Sequence, residues 1–201
     1  MFDHIKLSID RQVTDMARLV EDLVDGSRID AGTLRLERSR LDFAEMVESA
    51  LETCRTLAEE REQRLTVDLP KAALYVDGDP LRLTQVVVNL LDNASKQSHR
   101  EGNIRVELRK DQGEARLTVS DDGIGISAAA LPSIFDFFVQ EPNAHAHASG
   151  GLGIGLGVVR ELVLAHGGHV SAASEGPDTG ARFVVTLPLS PTGSDSSSEP
   201  A

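Results

Sequence analysis

The chain has 201 residues, 20 basic and 32 acidic, for a net charge of −12, and a single cysteine, Cys54. That length can bury a sizeable core in one or two domains. The acidic balance argues against a nucleic-acid or anionic-membrane partner, and one cysteine excludes an internal disulfide and suits a reducing compartment. With no apolar run of membrane-spanning length and no leader pattern at the N-terminus, the expectation is a cytoplasmic chain without a membrane segment.

Residues 3–30 read as one long amphipathic helix. Ile5, Ile9, Val13, Met16, Val20, Leu23 and Val24 recur at three- and four-residue steps, close to a coiled-coil seam. Such a stripe must be buried against something, in this chain or another, and a homodimer through 3–30 is one way to cover it. Composition changes after Gly32. Thr33–Phe43 alternates as short extended pieces, Ala44–Glu62 has helical spacing, and Leu65–Leu69 and Leu74–Val76 read as two strands separated by Pro70. The expected division is 1–38 as a helical segment, 39–189 as a main domain, and 190–201 as a disordered tail rich in Ser and Pro.

Asp79-Pro80 predicts a helix start, with the aspartate as N-cap and the proline at the first helical position. Leu83, Val86, Val87, Leu90, Leu91 and Ala94 form its apolar face. Gln85, Asn89, Asn93 and Lys96 stack at i, i+4, i+8 and i+11, on what should be the opposite face. A solvated polar face is the plain alternative. Yet asparagine is a poor helix former, and two amide oxygens and an ammonium in one stripe can hold a magnesium ion and phosphate oxygens.

Asn103–Arg109 and Ala115–Asp121 alternate as a β-hairpin, and the second strand runs into Asp121-Asp122-Gly123-Ile124-Gly125-Ile126. A carboxylate at a strand end beside two glycines can accept from an exocyclic amine while a flat ring slides over the glycine backbone. An ordinary Asp-Gly turn is the competing explanation. Leu131, Ile134, Phe135, Phe137 and Phe138 follow as core or as a hydrophobic latch. Glu141–Gly150, small and polar, is a candidate lid. His145 and His147 lack an evident third ligand, which argues against a metal site there. His99, His166 and His169 read as structural or surface residues.

Gly150-Gly151-Leu152-Gly153-Ile154-Gly155-Leu156-Gly157 then opens a helix carried by Val158, Val159, Leu162 and Val163. A glycine-rich loop feeding a helix N-terminus presents unpaired N–H groups and suits phosphate. It is neither a P-loop, which needs Gly-Lys-Ser/Thr, nor the dinucleotide fingerprint, which needs G-x-G-x-x-G directly after a strand. An acidic protein that binds polyphosphate needs a mediating cation, and magnesium is the natural one. Gly168–Ala173 and Ala181–Leu187 close the domain as two strands joined by the turn Gly176-Pro177-Asp178-Thr179-Gly180.

In order and separation, Asn89-Leu90-Leu91-Asp92-Asn93-Ala94-Ser95-Lys96, Asp121-Asp122-Gly123-Ile124-Gly125-Ile126, Ile134-Phe135-Asp136-Phe137-Phe138 and Gly151-Leu152-Gly153-Ile154-Gly155-Leu156 resemble the N, G1, F and G2 boxes of sensor histidine kinases. Residues 11–29 resemble the second helix of that family's dimerisation hairpin. The resemblance implies a two-layer Bergerat-type α/β sandwich, a mixed sheet with helices on one face, binding ATP and Mg²⁺. It implies Asn89 and Asn93 on Mg²⁺, Lys96 near the phosphates, and Asp121 on the adenine amine. Gly123 and Gly125 would admit the ring, and Gly151, Gly153, Gly155 and the Leu156 amide would cradle the triphosphate. The implied function is the ATP-dependent catalytic portion of a protein-histidine kinase that supplies a response regulator through a phosphorelay.

Two departures stand out. His4 lacks the family's His-Glu/Asp-x-x-x-Pro setting and is rejected as phosphate acceptor, so autophosphorylation in cis is not expected. Gln97 stands where an aromatic is usual, which should loosen packing near the nucleotide. ATP-hydrolysing clamps of the same fold carry a glutamate base at the position of Asn89, and an amide cannot take that proton. A kinase is therefore favoured over a hydrolase, with an ATP-binding regulatory module lacking kinase activity as the other alternative.

Overall fold

The computed structural model describes residues 34–139 and 153–191. The helix expected over 3–30, the candidate lid with its H-x-H pair, Gly151, and residues 192–201 of the tail lie outside the described residues. Among those described, the order is β1 (Ser39–Asp42), α1 (Phe43–Glu60), β2 (Arg64–Asp68), β3 (Tyr75–Gly78) and α2 (Pro80–Gln97). Then come β4 (Asn103–Asp111), β5 (Glu114–Asp121), a 3₁₀ turn (Leu131–Ser133), α3 (Gly155–Ala165), β6 (His169–Ala173) and β7 (Arg182–Pro188).

The main sheet has the order β2-β4-β5-β7-β6. β2 runs parallel to β4, and every other neighbouring pair is antiparallel, so the sheet is mixed. β1 and β3 form a separate antiparallel pair, joined to the end of β7 by a bridge between Val76 and Leu189. Because side chains alternate across a strand, one face of the sheet is set by every second residue. Ile104, Val106 and Leu108 of β4, Ala115, Leu117 and Val119 of β5, and Phe183, Val185 and Leu187 of β7 are all buried on that face. The helices cover it with Val47, Leu51, Val86, Leu90, Val159 and Leu162, all essentially inaccessible. This is the two-layer α/β sandwich that the sequence leads one to expect.

Local chemistry explains the element ends. Asp42 caps α1 through Oδ1, which accepts from Ala44 N at 3.0 Å and also from Leu74 N at 3.2 Å. Asp79 caps α2 by accepting from Leu81 N and Arg82 N at 3.1 and 3.2 Å, with Pro80 at the start as expected. The β4–β5 hairpin turns on Gln112 and Gly113, whose φ of 46° and 87° match the twist of the flanking strands.

His166 is indeed structural. Only 4% exposed, it accepts from Asp79 N at Nε2 (3.0 Å) while its Nδ1 meets Leu162 O at 2.7 Å, so the end of α3 is fastened to the start of α2. Beside it, Glu37 N donates to the other Asp79 carboxylate oxygen at 3.0 Å and Arg38 donates to Ala165 O at 2.6 Å. At the other end of the main domain, Ser190 N donates to Tyr75 O at 2.7 Å.

Candidate nucleotide site

The site is built where the helix layer meets the C-terminal end of β5. Register makes Asp121 unusual. It pairs with Ile104 and continues the inward series Ala115, Leu117, Val119, so a carboxylate stands where the alternation calls for an apolar side chain. Burial pushes its pKa up to about 6, against the backbone N–H of Gly123, bonded to Oδ1 at 3.0 Å, and that of Ala181 nearby, which both pull the other way. Its second oxygen, Oδ2, is buried with no hydrogen-bond partner. The neighbouring Asp122 is different: both its oxygens are bound by Asn103, N to Oδ1 at 2.8 Å and Nδ2 to Oδ2 at 2.6 Å. Of two adjacent aspartates, one is consumed by the fold and the other keeps an acceptor in reserve. A buried acceptor without a partner costs stability, and a ligand N–H would satisfy it.

The glycine loop beside it is wedged between two elements. On one side Ile124 N donates to Gln97 O at 3.1 Å, and a Cβ on Gly123 would fall 2.0 Å from that same carbonyl. On the other side Gly125, at φ 68°, lies so close to the β6–β7 loop that a Cβ would sit 2.0 Å from Gly176 O. Both glycines are therefore required by close backbone approach. Gln97 packs its side chain inward, and its Oε1 is buried without a hydrogen-bond partner.

The stripe on α2 corrects one expectation. Asn89 does not lie opposite the core: it is 3% exposed and faces α3, its Nδ2 donating to Gly155 O at 3.3 Å. The reason is that α2 is covered by the sheet, by α1 and by α3, so Asn89 lies in a helix–helix seam. Asn93, one turn on, is half-buried. Lys96 is paired with Asp92, Nζ to Oδ2 at 2.8 Å, and must leave that carboxylate to reach a phosphate.

α3 starts at Gly155 with Ile154 in the cap position, which offers no side-chain cap, and there is no acidic residue in its first turn. The first N–H groups of a helix have no partner within it, and here Gly155 and Leu156 present theirs beside Asn89. Gly153 has φ 70°, and its carbonyl accepts from Phe138 N at 2.8 Å. Phe137 lies against Gly157, where a Cβ would come within 2.7 Å of the ring. The structure thus brings Asn89 against Gly155 at the start of α3 and sets the Asp121–Gly125 loop against Gln97 at the end of α2. Missing from the sequence reading is the β6–β7 loop, an ordinary turn by composition, which forms the outer wall of the Asp121 loop.

An uncapped, glycine-led helix start and a buried, half-satisfied carboxylate on one two-layer sandwich suit the two ends of a nucleotide. Residues 78–191 match the family described as histidine kinase-, DNA gyrase B- and HSP90-like ATPase, and the chain belongs to that family. It is 35% identical to the signal transduction histidine-protein kinase/phosphatase MprB of Mycobacterium sp. (strain KMS), over 98% of this chain and 38% of that protein. To the sensor protein ChvG of Rhizobium meliloti (strain 1021) it is 31% identical, over 91% of this chain and 34% of that protein. The chain thus spans less than two fifths of the length of these curated relatives. Among solved structures, the Acinetobacter baumannii histidine kinase AdeS superposes with a TM-score of 0.73 at 26% identity, over 92% of this chain and 83% of that one. A mycobacterial sensor histidine kinase MprB structure gives 0.65 at 30% identity, over 77% of this chain and 100% of that one. No described helix is long and apolar enough to cross a membrane.

Proposed function

We propose that this chain is the ATP-binding catalytic portion of a sensor histidine kinase, directing the γ-phosphoryl group of ATP to a histidine in a two-component phosphorelay. The observation that carries this reading is the orphaned, buried Oδ2 of Asp121 beside a glycine loop held so close to Gln97 O and Gly176 O that neither Gly123 nor Gly125 could carry a Cβ. That carboxylate accepts from the exocyclic amine of adenine, and the ring lies over the backbone of Gly123 and Gly125. At the other end the N–H groups of Gly155 and Leu156 bind phosphate oxygens, assisted by the helix dipole and by Gly151 and Gly153 of the loop. When bound, ATP supplies the transferable group and Mg²⁺ the charge neutralisation that such a transfer needs. Among the described residues no cluster of three His, Cys, Asp or Glu side chains could hold a metal. The side-chain amide oxygens of Asn89 and Asn93 would hold the ion together with phosphate oxygens, and Lys96 would leave Asp92 to join them.

Asn89 cannot act as a general base on water, so the site orients a phosphoryl group rather than hydrolysing it. The acceptor histidine lies on a dimerisation hairpin outside this chain's matching residues. Residues 11–29 supply the second helix of such a hairpin, residues 3–30 pair with a second copy, and a response regulator receives the phosphate. The test is to mix the chain with Mg·ATP labelled at the γ-phosphate and a hairpin carrying such a histidine. Acid-labile, base-stable label on the hairpin is expected. Label released only as inorganic phosphate would make the protein an ATPase. Binding without transfer or release would make it a regulatory module, and no binding would end the proposal.

A further inference from the structure

The β6–β7 loop is held to the Asp121 loop by one hydroxyl. Ser174 Oγ accepts from Ile126 N at 3.0 Å and from Gly176 N at 3.3 Å, and donates to Gly180 O at 2.7 Å. Gly176 O at 3.2 Å and the Thr179 hydroxyl at 3.4 Å lie in its outer reach. A hydroxyl has one proton and two lone pairs, so the three nearest backbone partners suited to those roles fill it. Around this hub the two loops are joined by main-chain bonds: Asp121 N to Ala181 O at 3.0 Å, Gly180 N to Gly123 O at 3.0 Å, and Asp178 N to Ile124 O at 2.8 Å. The side chain of Ser174 thus ties the far end of the glycine loop, at Ile126, to both ends of the turn that presses on Gly125.

Resting on the nucleotide reading of the site, we propose that Ser174 is a positioning residue for base recognition. It does not touch the nucleotide. It sets the height of the Gly123–Gly125 floor relative to the Asp121 carboxylate, and with it the discrimination between an exocyclic amine and a carbonyl on the purine. The hub spans residues 121–126 and 174–181 and includes none of the α2–α3 seam, so its loss acts on the base and spares the phosphates.

The test uses the full chain and three ligands: Mg·ATP, Mg·GTP and Mg·tripolyphosphate. Ser174→Ala is expected to weaken Mg·ATP about tenfold, the scale of one or two lost hydrogen bonds. It should narrow the ATP-over-GTP preference and leave tripolyphosphate affinity within about twofold. Ser174→Thr, which keeps the hydroxyl, should restore ATP affinity. Amide exchange in Ser174→Ala should quicken at Ile124 and Ile126 while β4 stays protected. Unchanged ATP affinity in Ser174→Ala, with ATP bound by the wild type, overturns the role of Ser174 alone. A parallel loss of ATP and tripolyphosphate affinity, or lost protection through β4, makes Ser174 a general fold determinant and overturns it too. A wild type that binds tripolyphosphate but shows no preference for ATP overturns the base site beneath it, and this role with it.

Discussion

At the Asp121 end of the candidate site the glycine loop is pinned from both sides, by Gln97 O at the end of α2 and by the β6–β7 loop. At the Gly155 end, α3 begins without the aspartate cap that closes α1 and α2. The first end is rigid and leaves one unsatisfied acceptor, whereas the second leaves donors open and adjoins the segment 140–152. A flat base of fixed shape is best read by a preformed slot, since preorganisation removes the ordering cost at binding. A triphosphate is flexible and highly charged, and a helix terminus with adjustable loop amides suits it better.

The largest effect that could break this contrast lies at the phosphate end. Asn93→Ala is expected to lower Mg·ATP affinity at least about a hundredfold, with the circular dichroism spectrum unchanged. Isothermal titration with and without EDTA reads it, and equal affinity in both variants would remove the asparagine pair from the ion. At the base end, Asp121→Ala should cost roughly ten- to hundredfold in ATP affinity, the scale of a hydrogen bond to a charged group. ATP and GTP should then bind alike. If Asp121→Ala kept its preference for ATP, base reading would lie elsewhere.

A smaller effect follows from the raised pKa of Asp121, about 6 in the folded chain against the ordinary 3.8 of an aspartate. The native state holds that proton more tightly than the unfolded chain, so its contribution to stability is lost as pH rises from about 4 to 6. An amine donor favours the ionised form, so ATP affinity should rise as pH passes upward through 6. The γ-phosphate also titrates in this region. The comparison is therefore with Asp121→Asn, whose profile should lack the Asp121 component; superimposable profiles would deny the carboxylate its part.

Smallest is Gly157→Ala. The new methyl gains about 1 kcal/mol of helix preference, but a Cβ 2.7 Å from the Phe137 ring brings overpacking of about 1–3 kcal/mol. A modest fall in melting temperature is expected, with a few-fold loss of ATP affinity as the aromatic latch shifts. A rise in melting temperature would show that Phe137 does not depend on that seat.

Much was legible along the chain because it depends on neighbours. The cap at Asp79-Pro80, the period-two strands and the glycines of both loops follow from the sterics and hydrogen bonding of a few adjacent residues. Of the adjacent pair Asp121 and Asp122, the first keeps the spare acceptor. Its reason, an inward register position shared with Ile104, needed the β4–β5 pairing.

Only the tertiary structure decided which groups far apart in sequence meet. It turned Asn89 toward α3, gave both oxygens of Asp122 to Asn103, joined His166 to Asp79, and set Ser174 beneath Ile126. A periodic pattern states which face of a helix or strand is apolar. Which partner covers that face, and which backbone atoms come within 3 Å of a given hydroxyl, is fixed by packing the whole layer together.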